Sequence, residues 1–220
     1  GHAITTGDGN VIMGHTAGQA LTTGVRNVLL GRGAGLVTTN AQHLIGIGFY
    51  SLSSVNSADA SGAVAVGYQA LKALTSGAGN TAVGYQSGLA LTTGHNNVAI
   101  GNNALLNSQD IGFAVAIGNS VMASGTMTSA ADGTVAIGQS ALTTLTSGEG
   151  NTAIGFEALK AEDDGDHNTA IGYTALKAQT GTTGIIGNTA VGYEAGVKIT
   201  TGKNNTVLGS QALSNETDGD

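Results

Sequence analysis

One residue type recurs at nearly fixed intervals and limits what this chain can fold into. Glycine stands at positions 14, 31, 48, 67, 84, 101, 118, 138, 155, 172, 192 and 209, each time closing the same short pattern. Asn80-Thr81-Ala82-Val83-Gly84 is representative: a polar residue, then large, small, large, Gly. We call these places slots one to five and number onward from there. The interval between glycines is 17 residues, apart from one of 19 and two of 20. Twelve copies of one unit make residues 1–220 a single repeat array. One copy has too few apolar side chains to offset the entropy of ordering it, so the copies must stack.

The slots themselves indicate strands. Of the 24 residues in slots two and four, 21 are Val, Ile or Thr, chemistry suited to a pleated backbone. Slot three is Ala in eight of twelve copies. Both faces are therefore largely apolar, which reads as a strand covered on both sides. The expectation is that the large side chains fill the inside of a coil, while the Ala face lets a second backbone approach. The fold class is all-β, a parallel β-roll or β-solenoid.

Slot five is Gly in every copy, including Gly84, Gly101, Gly118 and Gly138, which implies a positive φ or a backbone close by. Slot one is Asn in eight copies, among them Asn80, Asn97, Asn151 and Asn168. Asn tolerates left-handed geometry, and its amide can bond a turn or the Asn one rung away. After slot five, Ala70 and Leu74 stand four apart, as do Ala141 and Leu145. That spacing allows a short helical turn or a second, irregular strand. Thr/Ser-Gly endings such as Thr75-Ser76-Gly77 signal a turn. The two or three added residues between Gly48 and Gly67, Gly118 and Gly138, and Gly172 and Gly192 read as loops, where partner-specific chemistry is added.

Composition removes several classes of function. The chain has no cysteine, so neither disulfides nor thiolate metal sites exist. Residues 1–110 carry three basic and three acidic side chains, and residues 111–220 four and eleven, so the net charge of −7 falls in the second half. Nothing here attracts phosphate, and no nucleic-acid partner is expected. No run of 18 apolar residues exists, so no membrane insertion is expected. Charged residues are only 10 %, which suggests that another chain covers part of the surface. Gly1-His2 reads as the scar of a cleaved tag on a fragment of something longer.

The motif Asn-Thr/Val-Ala-Ile/Val-Gly resembles the head repeats of trimeric autotransporter adhesins. It is similar, too, to repeats of phage tail-fibre proteins and of mosaic adhesive trimers. Val115-Ala116-Ile117-Gly118-Asn119-Ser120 resembles the adhesin version, and Asn168–Tyr173 the fibre version. The resemblance implies a left-handed β-roll, a homotrimer, and an extracellular place on a bacterial surface or a virion tail fibre. It implies reach and attachment as the function, with a host receptor or surface glycan as partner. The adhesin repeat is shorter, and the additional residues here fall after slot five.

Three sets of residues are candidates for chemistry. Slot six is aromatic in six copies (Phe49, Tyr68, Tyr85, Phe156, Tyr173 and Tyr193), which hold six of the chain's eight aromatic residues. They form either a stiffening ladder of stacked rings or, as an alternative function, a glycan-contact platform of Tyr68, Tyr85, Tyr173 and Tyr193 in a carbohydrate-binding module. Asp163, Asp164 and Asp166, with Glu162, could hold Ca²⁺, but their spacing matches neither the EF-hand nor the calcium-binding nonapeptide pattern, and a solvated acidic turn is the plainer reading. His15, His43, His95 and His167 are read as occupying different phases of the repeat, so no histidine ligand face is expected. There is no nucleophile elbow, phosphate loop or zinc motif, and no strand slot is acidic as a polysaccharide-cleaving solenoid requires. No enzyme activity and no cofactor are expected. An ice-binding solenoid is disfavoured because Thr falls in turn pairs.

Overall fold

A computed structural model describes residues 4–181 and 183–218. The opening Gly1-His2 lies outside the described residues. The chain is an all-β parallel solenoid of about twelve turns, with no α-helix among the described residues. It divides into two compact units, Gly1–Asp110 and Ile111–Asp220.

The first unit stacks six three-residue strands: β1 (Val11–Met13), β2 (Val28–Leu30), β3 (Ile45–Ile47), β4 (Val64–Val66), β5 (Thr81–Val83) and β6 (Val98–Ile100). Each pairs in parallel with the next at identical slots, so Ala65 lies beside Ala82 and Ala82 beside Ala99. The second unit repeats the arrangement with β7 (Val115–Ile117), β8 (Val135–Ile137), β9 (Thr152–Ile154), β11 (Thr169–Ile171), β13 (Thr189–Val191) and β14 (Thr206–Leu208). Two shorter strands, β10 (Gly165–Asp166) and β12 (Gly184–Ile185), form a separate parallel pair.

The faces are the reverse of the sequence expectation. Slot three points into the coil: Ala65, Ala82, Ala116, Ala136 and Ala153 are all fully buried. Slots two and four point outward and are half-buried or exposed. The inside of the coil is too narrow for a second β-branched residue opposite the outer limb. That limb supplies the bulk, through buried residues such as Leu71, Leu74, Leu142 and Leu145. Where slot nine is Gly in the first copies, slot three grows to compensate: a Cβ on Gly18 would lie 3.0 Å from Ile12 Cδ1, and one on Gly35 2.8 Å from Leu29 Cδ1.

The outer limb is neither a helical turn nor a strand. Its alternate residues are left-handed: in one copy Gln69 has φ 55° and Leu71 φ 48°, with Gly67 at 139° before them. Successive tight turns result, closed by Lys72 N–H to Gln69 O at 3.2 Å and Leu74 N–H to Leu71 O at 3.2 Å. The intervening amides leave the coil. Leu71 N–H donates to Ser87 O at 3.0 Å and Ala73 N–H to Leu89 O at 3.1 Å, both one rung on. The limb ends on Thr75, whose amide (2.9 Å) and hydroxyl (3.0 Å) both donate to Thr92 O.

The left-handed residue at the strand entrance is the one before slot one, not the Asn. Arg26 and His43 hold it at φ 57°, Asn96 at 56° and His167 at 60°. His43 and His167 therefore share one phase of the repeat, one in each unit, which corrects the reading of four unrelated histidines. The added residues form the expected loops. Two contain single 3₁₀ turns, Ala58–Ala60 and Ser129–Ala131, capped by the hydroxyls of Ser57 and Thr128. The third carries β12. No helix among the described residues is long and apolar enough to cross a membrane.

Slot five needs Gly twice over. Gly84, Gly118 and Gly138 have φ of 141°, 135° and 128°, and Gly101 has 132°. A Cβ on Gly84 would collide with Gly101 O, and one on Gly118 would lie 2.9 Å from the carbonyl carbon of Gly138. Gly118→Val is expected to cost about 3 kcal/mol or more in urea-melt stability. Gly133→Asn, at a positive φ with nothing within 4 Å of a Cβ, is expected to cost under about 1 kcal/mol.

Candidate binding face

The outward sheet face is the most distinctive surface of each unit. In the first unit it is built from slots two and four of β1 to β6, and Thr81 is its one polar residue. Val11, Met13, Ile45, Ile47, Val83 and Ile100 are all exposed on it. In the second unit the slot-two file turns to Thr152, Thr169, Thr189 and Thr206, beside Ile154, Ile171, Val191 and Leu208. Four threonines thus lie in one file, one on each strand, as the slot-two pattern of the sequence implies. No charged side chain occupies either face.

Slot six borders the face with rings. In the first unit Phe49 stacks on Tyr68 at 5.3 Å between centroids and Tyr68 on Tyr85 at 5.1 Å, with planes within 6°. Tyr50 packs edge-on against Phe49, and the Arg32 guanidinium lies 5.7 Å above the same ring. In the second unit Phe156, Tyr173 and Tyr193 stack at 5.0 and 5.4 Å. The identical rung spacing aligns the rings, because each is carried on the same slot of successive coils. Stacking covers most ring faces, and what stays exposed is edges and hydroxyls: Tyr68, Tyr85, Tyr173 and Tyr193 are 41–48 % exposed.

The other border is the Asn file, which is buried and structural. Asn80 Nδ2 donates to Gly94 O at 2.7 Å, and its Oδ1 accepts from Asn97 N and Nδ2, both at 3.0 Å. Asn151 Nδ2 donates to Gly165 O at 2.7 Å, and Asn168 N donates to Asn151 Oδ1 at 2.8 Å. Asn80 and Asn151 thus bond both the turn beyond and the Asn one rung away, while Asn168 Nδ2 donates to Glu162 Oε2 at 3.4 Å.

The acidic turn groups Glu162, Asp163 and Asp164, with one oxygen of each within 4.8 Å of the others. Asp166 is not among them; its Oδ1 accepts from Glu149 N at 2.9 Å. Glu162 is fully buried, in the repeat position that Leu74, Leu91 and Leu145 hold elsewhere. Its Oε1 accepts from Asp163 N at 3.0 Å and Gly165 N at 2.8 Å. Burial raises its pKa above the ordinary value, against the lowering effect of those amides. On the limb nearby, Lys160 and Lys177 both pair with Glu157, at 2.6 and 2.7 Å, and hold its carboxyl below the ordinary range. Sequence reasoning missed this Glu157 pair; two lysines 17 apart, one rung, were the available signal.

Comparison with known proteins adds nothing to this geometry: no protein family, no curated protein and no solved structure matches the chain.

The buried Glu162 makes stability depend on pH. A carboxyl whose folded pKa is raised contributes stability that is full below the unfolded value and is lost as pH rises through the folded one. Glu162→Gln keeps the Oε1 acceptor and removes the charge, but gives up the 3.4 Å bond that Oε2 accepts from Asn168 Nδ2. Urea melts are expected to show the variant gaining stability relative to the parent between about pH 4 and about pH 8.

Proposed function

We propose that this chain is the shaft or head segment of a homotrimeric extracellular fibre, of the kind carried by phage tails or bacterial surfaces, and that it serves reach and attachment rather than catalysis. The observation that supports this most is the uncharged, apolar outer sheet face. A three-residue strand is about 10 Å wide and six rungs rise about 29 Å, so each unit offers roughly 300 Å². A patch of about 300 Å² is the size of the largest apolar patch on an ordinary monomer, which is often functional. The first unit's face of Val, Ile, Leu and Met, with Thr81 its one polar residue, has no better partner than another copy of itself, and closed symmetry is the usual outcome.

Strand width favours three copies over two. A wide sheet is covered best by a second sheet about 10 Å away. A face only three residues across is narrow enough for three copies to surround an axis, each covering the flanks of the next. The resemblance of the Asn-Thr/Val-Ala-Ile/Val-Gly motif to trimeric adhesin and fibre repeats agrees, and with it a left-handed coil. Within each unit the rungs are joined by short turns and few loops, which suits a mechanical role, since protease-sensitive segments are few.

Sedimentation equilibrium tests the proposal. The native chain is expected at three times its monomer mass at micromolar concentration. The double variant Val83→Glu/Ile100→Glu is expected to sediment as a folded monomer, because each buried carboxylate would lack a partner. A native chain that stays monomeric at that concentration refutes the reading.

A further inference from the structure

The ring border carries a second file beside it. Slot seven of the first unit places Gln69 next to Tyr68 and Gln86 next to Tyr85. Gln86 Nε2 donates to Gln69 Oε1 at 3.0 Å, which orients both amides along the stack and leaves a donor and an acceptor free at its two ends. The hydroxyls of Tyr68 and Tyr85 have no hydrogen-bond partner among the described residues, and both rings are more than two-fifths exposed. The strip therefore offers a phenol and an amide on each of two successive rungs, with ring centroids 5.1 Å apart.

That repeat selects a ligand. An extended peptide advances about 3.3 Å per residue and falls out of step with rungs about 4.8 Å apart. A nucleic acid would bring phosphates to a strip without cations. An extended chain of β-1,4-linked pyranose rings advances by close to one rung per sugar and carries hydroxyls along both edges. Phenol edges and amides are the side chains that recognise such hydroxyls. Because the ring faces are covered by stacking, recognition runs through hydrogen bonds to Tyr and Gln, not through a sugar laid flat on a ring.

We propose that the strip Tyr68–Gln69–Tyr85–Gln86 binds a neutral, extended β-linked polysaccharide lying along the stack, one sugar per rung. This surface is separate from the outer sheet face, and its reading does not depend on the number of subunits. Unit two carries Glu157 and Glu194 in slot seven, each already engaged by Lys or Gln side chains, so it lacks the neutral amide pair.

The experiment is calorimetric titration of the intact chain with the hexamers of β-1,4-linked glucose and β-1,4-linked N-acetylglucosamine. The hexamer of α-1,4-linked glucose, which curls, is the control. At least one β-linked hexamer is expected to bind at millimolar concentration or below, at least about tenfold more tightly than the α-linked one. Tyr68→Phe/Tyr85→Phe keeps the stack, as Phe49 does naturally, so its melting temperature is expected to be unchanged while affinity falls about tenfold. Three results would overturn the proposal: no heat with either β-linked hexamer, equal binding of the α-linked one, or full affinity in the Phe variant.

Discussion

Backbone amides that bond along the stack, from one coil to the next, are the interaction on which everything else rests. Val64 N–H donates to Asn80 O one rung on, and Gly67 N–H to Ile47 O one rung back, both at 2.8 Å. The same alternation continues through the outer limb, where it requires left-handed residues at fixed places. Every rung thus depends on its neighbours for the partners of its polar backbone groups, which cannot be buried unpaired. Stability in such an array is a sum over neighbouring pairs, and a defect at one slot is felt on both sides of it.

That constraint explains which slots tolerate variation. Slot five cannot carry a Cβ because the carbonyl of the next rung is in the way. Slot three stays small in most copies because the limb's Leu already fills the coil; it enlarges at Ile12 and Leu29, where slot nine is Gly, while at Ala82 and Ala190 a slot-nine Gly is instead packed by Leu71 and Leu176 of the rung before. Slot one is Asn because one side chain can bond both the turn and the next Asn. Slots two, four, six and seven face outward; the first three are limited by rung spacing, and slot seven also by its left-handed backbone. They are the places where a partner can be read, by an apolar face or by a hydrogen-bonding strip.

Much of this was legible from residues alone. The spacing of Gly84 and its equivalents gave the rungs, and the Val/Ile/Thr pattern of slots two and four gave the strands. The orientation of those strands was not legible. Ala82 fits a narrow interior as well as it fits a close neighbour, and only the position of Leu71 decides between them. Leu71 was itself hidden, because a Leu at φ 48° contradicts its ordinary preference, and the hydrogen bond to Ser87 that holds it there spans a rung. The ring file was visible as six aromatics in one slot. That stacking would leave only their edges exposed follows from the rung spacing, which the sequence does not state.

The inward turn of slot three and the outward turn of slot four are the centre of this account, and methyl-resolved NMR reads them directly. In a sample mixing differently labelled chains, the Ala82 methyl is predicted to show contacts to Ala65 and Ala99 of its own chain, each one rung and about 4.8 Å away. Val83 methyls are predicted to show contacts between chains. Contacts between chains from Ala82, or the absence of the contacts 17 residues apart, would contradict the fold's central claim.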